Sequence, residues 1–130
     1  MIEEGRALFL QIAESVEDSI VDGSLPEETQ APSTNELASF YRINPATAAK
    51  GVAMLVEKGV LYKRRGIGMF VAPGARDRLL AERRSVFADR FVEPLLIEAR
   101  KLGLDTEDLA ALIRDRAAAH VATSTEGNAR

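Results

Sequence analysis

Two helix starts, at Ser33 and Asn44, lie too close together for anything but a short helix and a tight turn between them. Ser33 and Glu36 form an S-x-x-E capping box, which satisfies two orphan backbone donors at a helix N-terminus. Asn44-Pro45 is a second start. Asn is a strong N-cap, and Pro at the first helical position lacks the amide hydrogen that would go unpaired there. The first helix therefore ends near Tyr41, with Leu37, Ala38 and Phe40 on its buried side. The link is short, around Tyr41–Ile43. The second helix runs to about Lys58 and stops at Gly59. At 100° per residue its Ala48, Val52 and Leu55 share one face, while Ala46, Thr47, Lys50 and Met54 fall on the other. A core side thus separates from an outward first turn.

The flanks complete a domain. Leu8, Ile12, Val16 and Ile20 recur every four residues with Ala13 beside them, which predicts a helix over 7–22. Acids take its opposite face and Gly23 stops it. The polar connection 24–32 holds two prolines, and Thr29–Ala31 could make one short strand. Residues 60–64 and 68–72 are β-type runs around a tip at Arg65-Gly66-Ile67, before Pro73-Gly74 marks a boundary. Three helices followed by a hairpin is the layout of a winged helix-turn-helix, mainly α with a small β-hairpin. It is expected over 1–73.

A short helical segment, 74–120, should follow. Phe87, Phe91 and Leu95 are spaced four apart, and Pro94 should kink or divide their helix. Gly103 ends it. Asp105 can cap a last helix to about His120, with Leu109, Leu112 and Ile113 on one face. Two helices cannot bury both their faces alone. Phe87, Phe91, Leu95, Leu109, Leu112 and Ile113 are therefore expected to form a dimer seam. Residues 121–130 are small and polar, the composition of a disordered tail.

Composition narrows the chemistry. The 130 residues include no Cys and one His, which leaves no thiolate metal site, no disulfide and no cluster of His ligands. His120 is expected to stabilise a helix end or to be exposed. No nucleophile–base pair or phosphate-binding loop is present, so neither an enzyme nor a cofactor is expected. No apolar run approaches a membrane span, and the N-terminus lacks a signal-peptide layout; a cytoplasmic protein is expected.

The net charge of −3 conceals segregation. Residues 1–41 carry nine acids against Arg6, a net −8, whereas 42–65 carry Arg42, Lys50, Lys58, Lys63, Arg64 and Arg65 against Glu57, a net +5. Cations before, on and after the second capped helix are where phosphate neutralisation would need them, while the first turn of that helix reaches base edges. Arg42 could equally be a free surface charge, and Thr47 could serve its own helix turn. Ile67 could wedge into a minor groove or, more ordinarily, pack on its hairpin.

These residues resemble a family. LFLQIAESVEDSIVDG, APSTNELA, INPATAAKG and EKGVLYKRRGIGMFV, in this order and spacing, look like the DNA-binding domain of GntR-type bacterial transcription regulators. The Asn44-Pro45-x-Thr47 start with Lys50, and the short remainder after Gly74, are similar to the YtrA-type branch. The resemblance implies a homodimeric repressor of a pseudo-palindromic double-stranded DNA operator, often controlling neighbouring transporter genes. It implies DNA contacts from Ser33, Thr34, Asn35, Arg42, Asn44, Pro45, Ala46, Thr47, Lys50, Lys63, Arg64, Arg65, Gly66, Ile67 and Gly68. Some positions depart from the pattern. Asn35 and Ala49 stand where basic residues are common, Met69 where Thr is frequent, and Ile67 takes the wing tip. The usual turn glycine before the capping box is replaced in the Glu27-Glu28 region. The departures at Asn35 and Ala49 leave room for an alternative, a winged-helix adaptor that binds protein rather than DNA. The sequence names no effector.

Overall fold

The computed structural model describes residues 7–128, with side chains to residue 123. The chain divides into two compact units after Arg83. In the first, α1 (Leu8–Val21), α2 (Thr34–Tyr41) and α3 (Pro45–Glu57) are followed by β1 (Leu61–Arg64) and β2 (Gly68–Val71), and α4 (Ala75–Phe87) begins. The elements follow from the caps and periodicities of the sequence. Ser33 Oγ accepts from the Glu36 amide and Glu36 Oε1 from the Ser33 amide, each at 3.0 Å. Asn44 Oδ1 accepts from the Ala46 amide at 2.8 Å. Both capped starts are therefore formed. Ile12, Val16 and Ile20 of α1 meet Ala48, Val52 and Leu55 of α3 in one core with Leu37, Leu61, Val71 and Leu79.

Close approach of α1 and α3 centres on Gly51. A Cβ at that position would lie 2.8 Å from the Phe9 carbonyl oxygen, closer than packed atoms approach. The hairpin is antiparallel, with Leu61 opposite Val71 and Arg64 opposite Gly68. The expected short strand at 29–31 is present as an isolated bridge, Gln30 to Phe70, on the free edge of β2. The Ala31 amide donates to the Met69 carbonyl at 2.8 Å, and the Glu28 amide to that of Val71 at 2.8 Å. Glu28 enters this pairing with φ of 65°, a conformation that costs a residue with a Cβ about 1 kcal/mol or more.

Ala75 and Leu79 are buried, so the first unit extends past Gly74, where the sequence reading placed the boundary. Arg76 Nε donates to the Val21 carbonyl, and Arg83 pairs with Asp18 at 2.6 Å. The sequence also put the acids of α1 on its solvent face, which fails at Glu17. Its carboxylate is buried and receives Lys58 Nζ at 2.7 Å; the same ammonium reaches Glu82 at 3.2 Å. Burial works to lower the Lys58 pKa, but the Glu17 and Glu82 carboxylates outweigh it and hold the ammonium above the ordinary lysine value. This contribution to stability is complete below that ordinary value and is lost as pH rises through the raised one.

The second unit, from residue 84, contains a π-helical turn (Ala88–Val92), α5 (Glu93–Lys101) and α6 (Thr106–Asn128). Pro94 was expected to kink or divide the helix. The α-helical winding is divided just before it, where the backbone widens for one turn with the Glu93 amide donating to the Ala88 carbonyl. Widened winding accommodates a residue that has no amide hydrogen and whose ring crowds the preceding turn. Asp105 caps α6 as expected, exchanging backbone-to-carboxylate bonds with Asp108 at 2.8 and 3.1 Å. The helix does not stop near His120. It continues through 121–128, because Ala117–Ala119 and Ala122 favour helix and no glycine intervenes before Gly127. The expected disordered tail therefore does not describe 121–128; residues 129–130 lie outside the described residues. Phe87, Phe91, Leu95, Leu112 and Ile113 all expose large parts of their side chains. Leu109 does not. It is only 7% exposed, buried within its own unit, and has little surface to offer a seam. Among the described residues no helix is long and apolar enough to cross a membrane.

Two stability outcomes follow. Gly51→Ala gains about 1 kcal/mol in helix propensity, but overpacking against the Phe9 backbone costs about 1–3 kcal/mol. Urea denaturation should show a net loss, and an unchanged or raised midpoint would mean that α1 and α3 part freely. Lys58→Met leaves the buried Glu17 carboxylate without its cation, and should cost about 1 kcal/mol or more near neutral pH. An unchanged midpoint would show that water replaces the ammonium without loss.

Candidate nucleic-acid interface

The turn between α2 and α3 is built on Arg42, which takes the left-handed conformation (φ 55°, ψ 50°) and closes α2. The Ile43 amide then donates to the Ala38 carbonyl at 3.0 Å, and the chain enters α3 at once. Pro45 and Ala46 are exposed in the first turn of α3, and Thr47 is half-buried. Asn44 and Ser33 spend side-chain oxygens on capping. Thr34 is half-buried and Asn35 is exposed.

Lys50 is exposed on α3, as its period implies, but it does not float. Its ammonium sits 4.1 Å from the centroid of the Phe9 ring on α1, a cation–π contact. In the sequence Phe9 stands out only as part of the LFLQIAESVEDSIVDG match. Its position four residues before Ala13, on the buried side of α1, gave no hint of a partner on α3.

The wing is a tight hairpin. The Ile67 amide donates to the Arg64 carbonyl at 3.0 Å, and Gly66 and Gly68 have φ of 77° and 142°. A Cβ at Gly68 would lie 2.7 Å from Gln30 Nε2, so the Gln30 side chain would have to shift to admit one. That amide donates to the Ile67 carbonyl at 3.1 Å and braces the tip from the neighbouring edge. Ile67 itself is 61% exposed, so it does not pack on its hairpin in the way the more ordinary reading required.

The wing cations differ from one another. Side chains alternate along β1, so Tyr62 and Arg64 share the face that carries Phe70, and Lys63 points the other way. The Arg64 guanidinium lies 4.1 Å from the Phe70 ring centroid and donates to Glu28 Oε2 at 3.2 Å and to the Tyr62 hydroxyl at 2.9 Å. Lys63 and Arg65 are exposed and form no ion pair among the described residues, and the same holds for Arg42. Lys58, counted in the basic stretch, is consumed by Glu17 and Glu82. Within residues 42–65, the positive charge that remains uncommitted to carboxylates is on Arg42, Lys50, Lys63 and Arg65.

This geometry has known counterparts. Residues 8–71 match the family model described as bacterial regulatory proteins, gntR family. The HTH-type transcriptional repressor YtrA of Bacillus subtilis (strain 168) is 24% identical over 108 residues, covering 83% of this chain and 82% of YtrA. A crystal structure of a GntR-family transcriptional regulator from Bacteroides thetaiotaomicron superposes with a TM-score of 0.72 at 29% identity, over 88% of this chain and 99% of that one. The chain belongs to the GntR family. The matched segment falls within the first unit and is the family's winged helix-turn-helix. A third similarity bears on what such a domain does. The N-terminal domain of AraR, in complex with mutant ORR3, matches 54% of this GntR-family chain at 30% identity, with all of that chain covered and a TM-score of 0.51. The chain is thus a member of a family of transcriptional regulators whose DNA-binding domain it carries.

Proposed function

We propose that this GntR-family protein is a homodimeric repressor that reads a pseudo-palindromic operator. The first turn of α3, Pro45 to Lys50, enters the major groove, and the wing, Lys63 to Gly68, follows the adjacent backbone or minor groove. One observation carries the reading. Within the basic stretch 42–65 the cations without a carboxylate partner among the described residues, Arg42, Lys50, Lys63 and Arg65, lie on the helix-turn-helix and the wing, while Lys58, at the far end of α3, is neutralised internally. Cations left unpaired are the ones that can release counterions on a polyanion. Repression and control of neighbouring transporter genes rest on the YtrA-type resemblance and on the name of its relative. Ser33 and Asn44 serve chiefly as caps, so their DNA contacts are secondary.

The partner copy is assigned to the second unit. The Phe87 and Phe91 rings meet in a tilted contact, 5.5 Å between centroids, yet remain more than half exposed, and Leu95, Leu112 and Ile113 add to this surface. Apolar side chains this exposed on a short helical unit are the usual mark of an interface. Two-fold pairing would place half-sites about 10 bp apart or a multiple of that.

Binding of a duplex from the protein's own promoter region, followed against salt, tests the DNA surface. Lys50→Ala and Arg65→Ala should each lower affinity and reduce the salt slope by roughly one. If neither changes the slope, the contact surface is wrongly assigned. Wild-type protein with no preference for a palindrome over random duplex would favour a protein-binding adaptor. Sedimentation tests the seam separately: Phe91→Glu should shift the mass toward monomer, and an unchanged dimer would place the interface elsewhere.

A further inference from the structure

Glu28 occupies an unfavourable backbone position for its side chain. Its φ of 65° lies in the left-handed region that glycine enters freely and residues with a Cβ do not. A glycine would relieve the strain. What the glutamate supplies in exchange is a carboxylate on the wing. Glu28 Oε2 accepts from the Tyr62 hydroxyl at 2.5 Å and from Arg64 Nη2 at 3.2 Å. Arg64 also donates to the Tyr62 hydroxyl at 2.9 Å, which closes a three-membered ring of bonds. The backbone under the carboxylate is fixed as well, because the Glu28 amide donates to the Val71 carbonyl on β2. With the guanidinium seated over Phe70, the wing's central arginine is held on one ring and one carboxylate.

We propose that Glu28 is a built-in competitor for the phosphate that Arg64 would otherwise bind. It withholds the arginine in the free protein and yields it only where the duplex brings a phosphate close enough to displace a carboxylate. Carboxylate and phosphate compete for the same guanidinium donors, so both cannot be served fully at once. The pair is about half exposed, 44% for Arg64 and 48% for Glu28, which makes it weak enough to exchange. Lys63 and Arg65 have no such competitor among the described residues and supply the standing attraction. Glu28 thereby lowers affinity for any duplex that does not place a phosphate at Arg64, and so sharpens selection among duplexes. Phe70 and Tyr62 keep the released side chain close to the wing rather than free to swing.

This inference rests on the DNA-binding reading above, and the test separates the two. Salt-dependent binding to the own-promoter duplex and to a random duplex is measured for wild type, Glu28→Gly, Arg64→Ala and the double variant. Glu28→Gly should bind random duplex about two- to fivefold more tightly, the range expected for releasing an exposed ion pair, with a salt slope about one unit steeper. Its gain on the own-promoter duplex should be smaller, and its thermal midpoint should not fall. In the Arg64→Ala background the gain should vanish. Weaker binding by Glu28→Gly would overturn the proposal by showing that the carboxylate orients Arg64 for contact. An equal gain with and without Arg64 would overturn it too, leaving only general repulsion between Glu28 and DNA. Failure of the wild type to show any salt-dependent DNA binding would instead sink the DNA-binding reading itself.

Discussion

The first unit depends on how closely α1 can lie against α3. Gly51 sets that distance, since its missing Cβ is what admits the Phe9 carbonyl. With the two helices in contact, Ile12, Val52 and Leu55 become fully or nearly fully buried, and the outward side of α3 is fixed by default. The same approach brings the Phe9 ring to Lys50, one residue before Gly51. A glycine chosen for packing thus also decides what the adjacent lysine rests on. A wider helix spacing would loosen both together, because packed cores transmit displacements rather than absorb them.

Elements specified by nearby residues were legible in the sequence. The Ser33–Glu36 box, the Asn44-Pro45 start, the hairpin around Gly66 and the Asp105 cap each depend on contacts within a few positions, and each formed. Features joined across the chain were not legible. Glu17 and Lys58 are 41 positions apart, and Glu28 and Arg64 are 36. Counting charges gives the sign of a segment but not the identity of partners, so the +5 stretch looked more available than it is. The replaced turn glycine was visible at Glu27-Glu28, yet nothing local said where the new carboxylate would go. The end of α6 was misjudged for another reason. Small and polar residues need not end a helix, and the alanine-rich stretch 117–122 carries no glycine or proline.

The acidic first third also reads differently in three dimensions. Glu17, Asp18, Glu27 and Glu28 are structural partners for Lys58, Arg83, the Gly74 amide and Arg64. They strap α1 and the following turn to α4 and the residue before it, to the end of α3 and to the wing. A large part of the −8 is therefore spent inside the unit, and the field outside it is less polarised than the linear tally suggests.

The seating of Lys50 over Phe9 has a consequence for the cost of docking. A lysine or arginine side chain carries about 2 kcal/mol of rotamer entropy, most of which is lost when its head group is fixed. Lys50 and Arg64 have surrendered part of that freedom already, to the Phe9 and Phe70 rings, during folding. Lys63 and Arg65 still hold theirs. The four cations are therefore unequal in what immobilisation takes from them: two arrive partly ordered, and two must be ordered by whatever they meet.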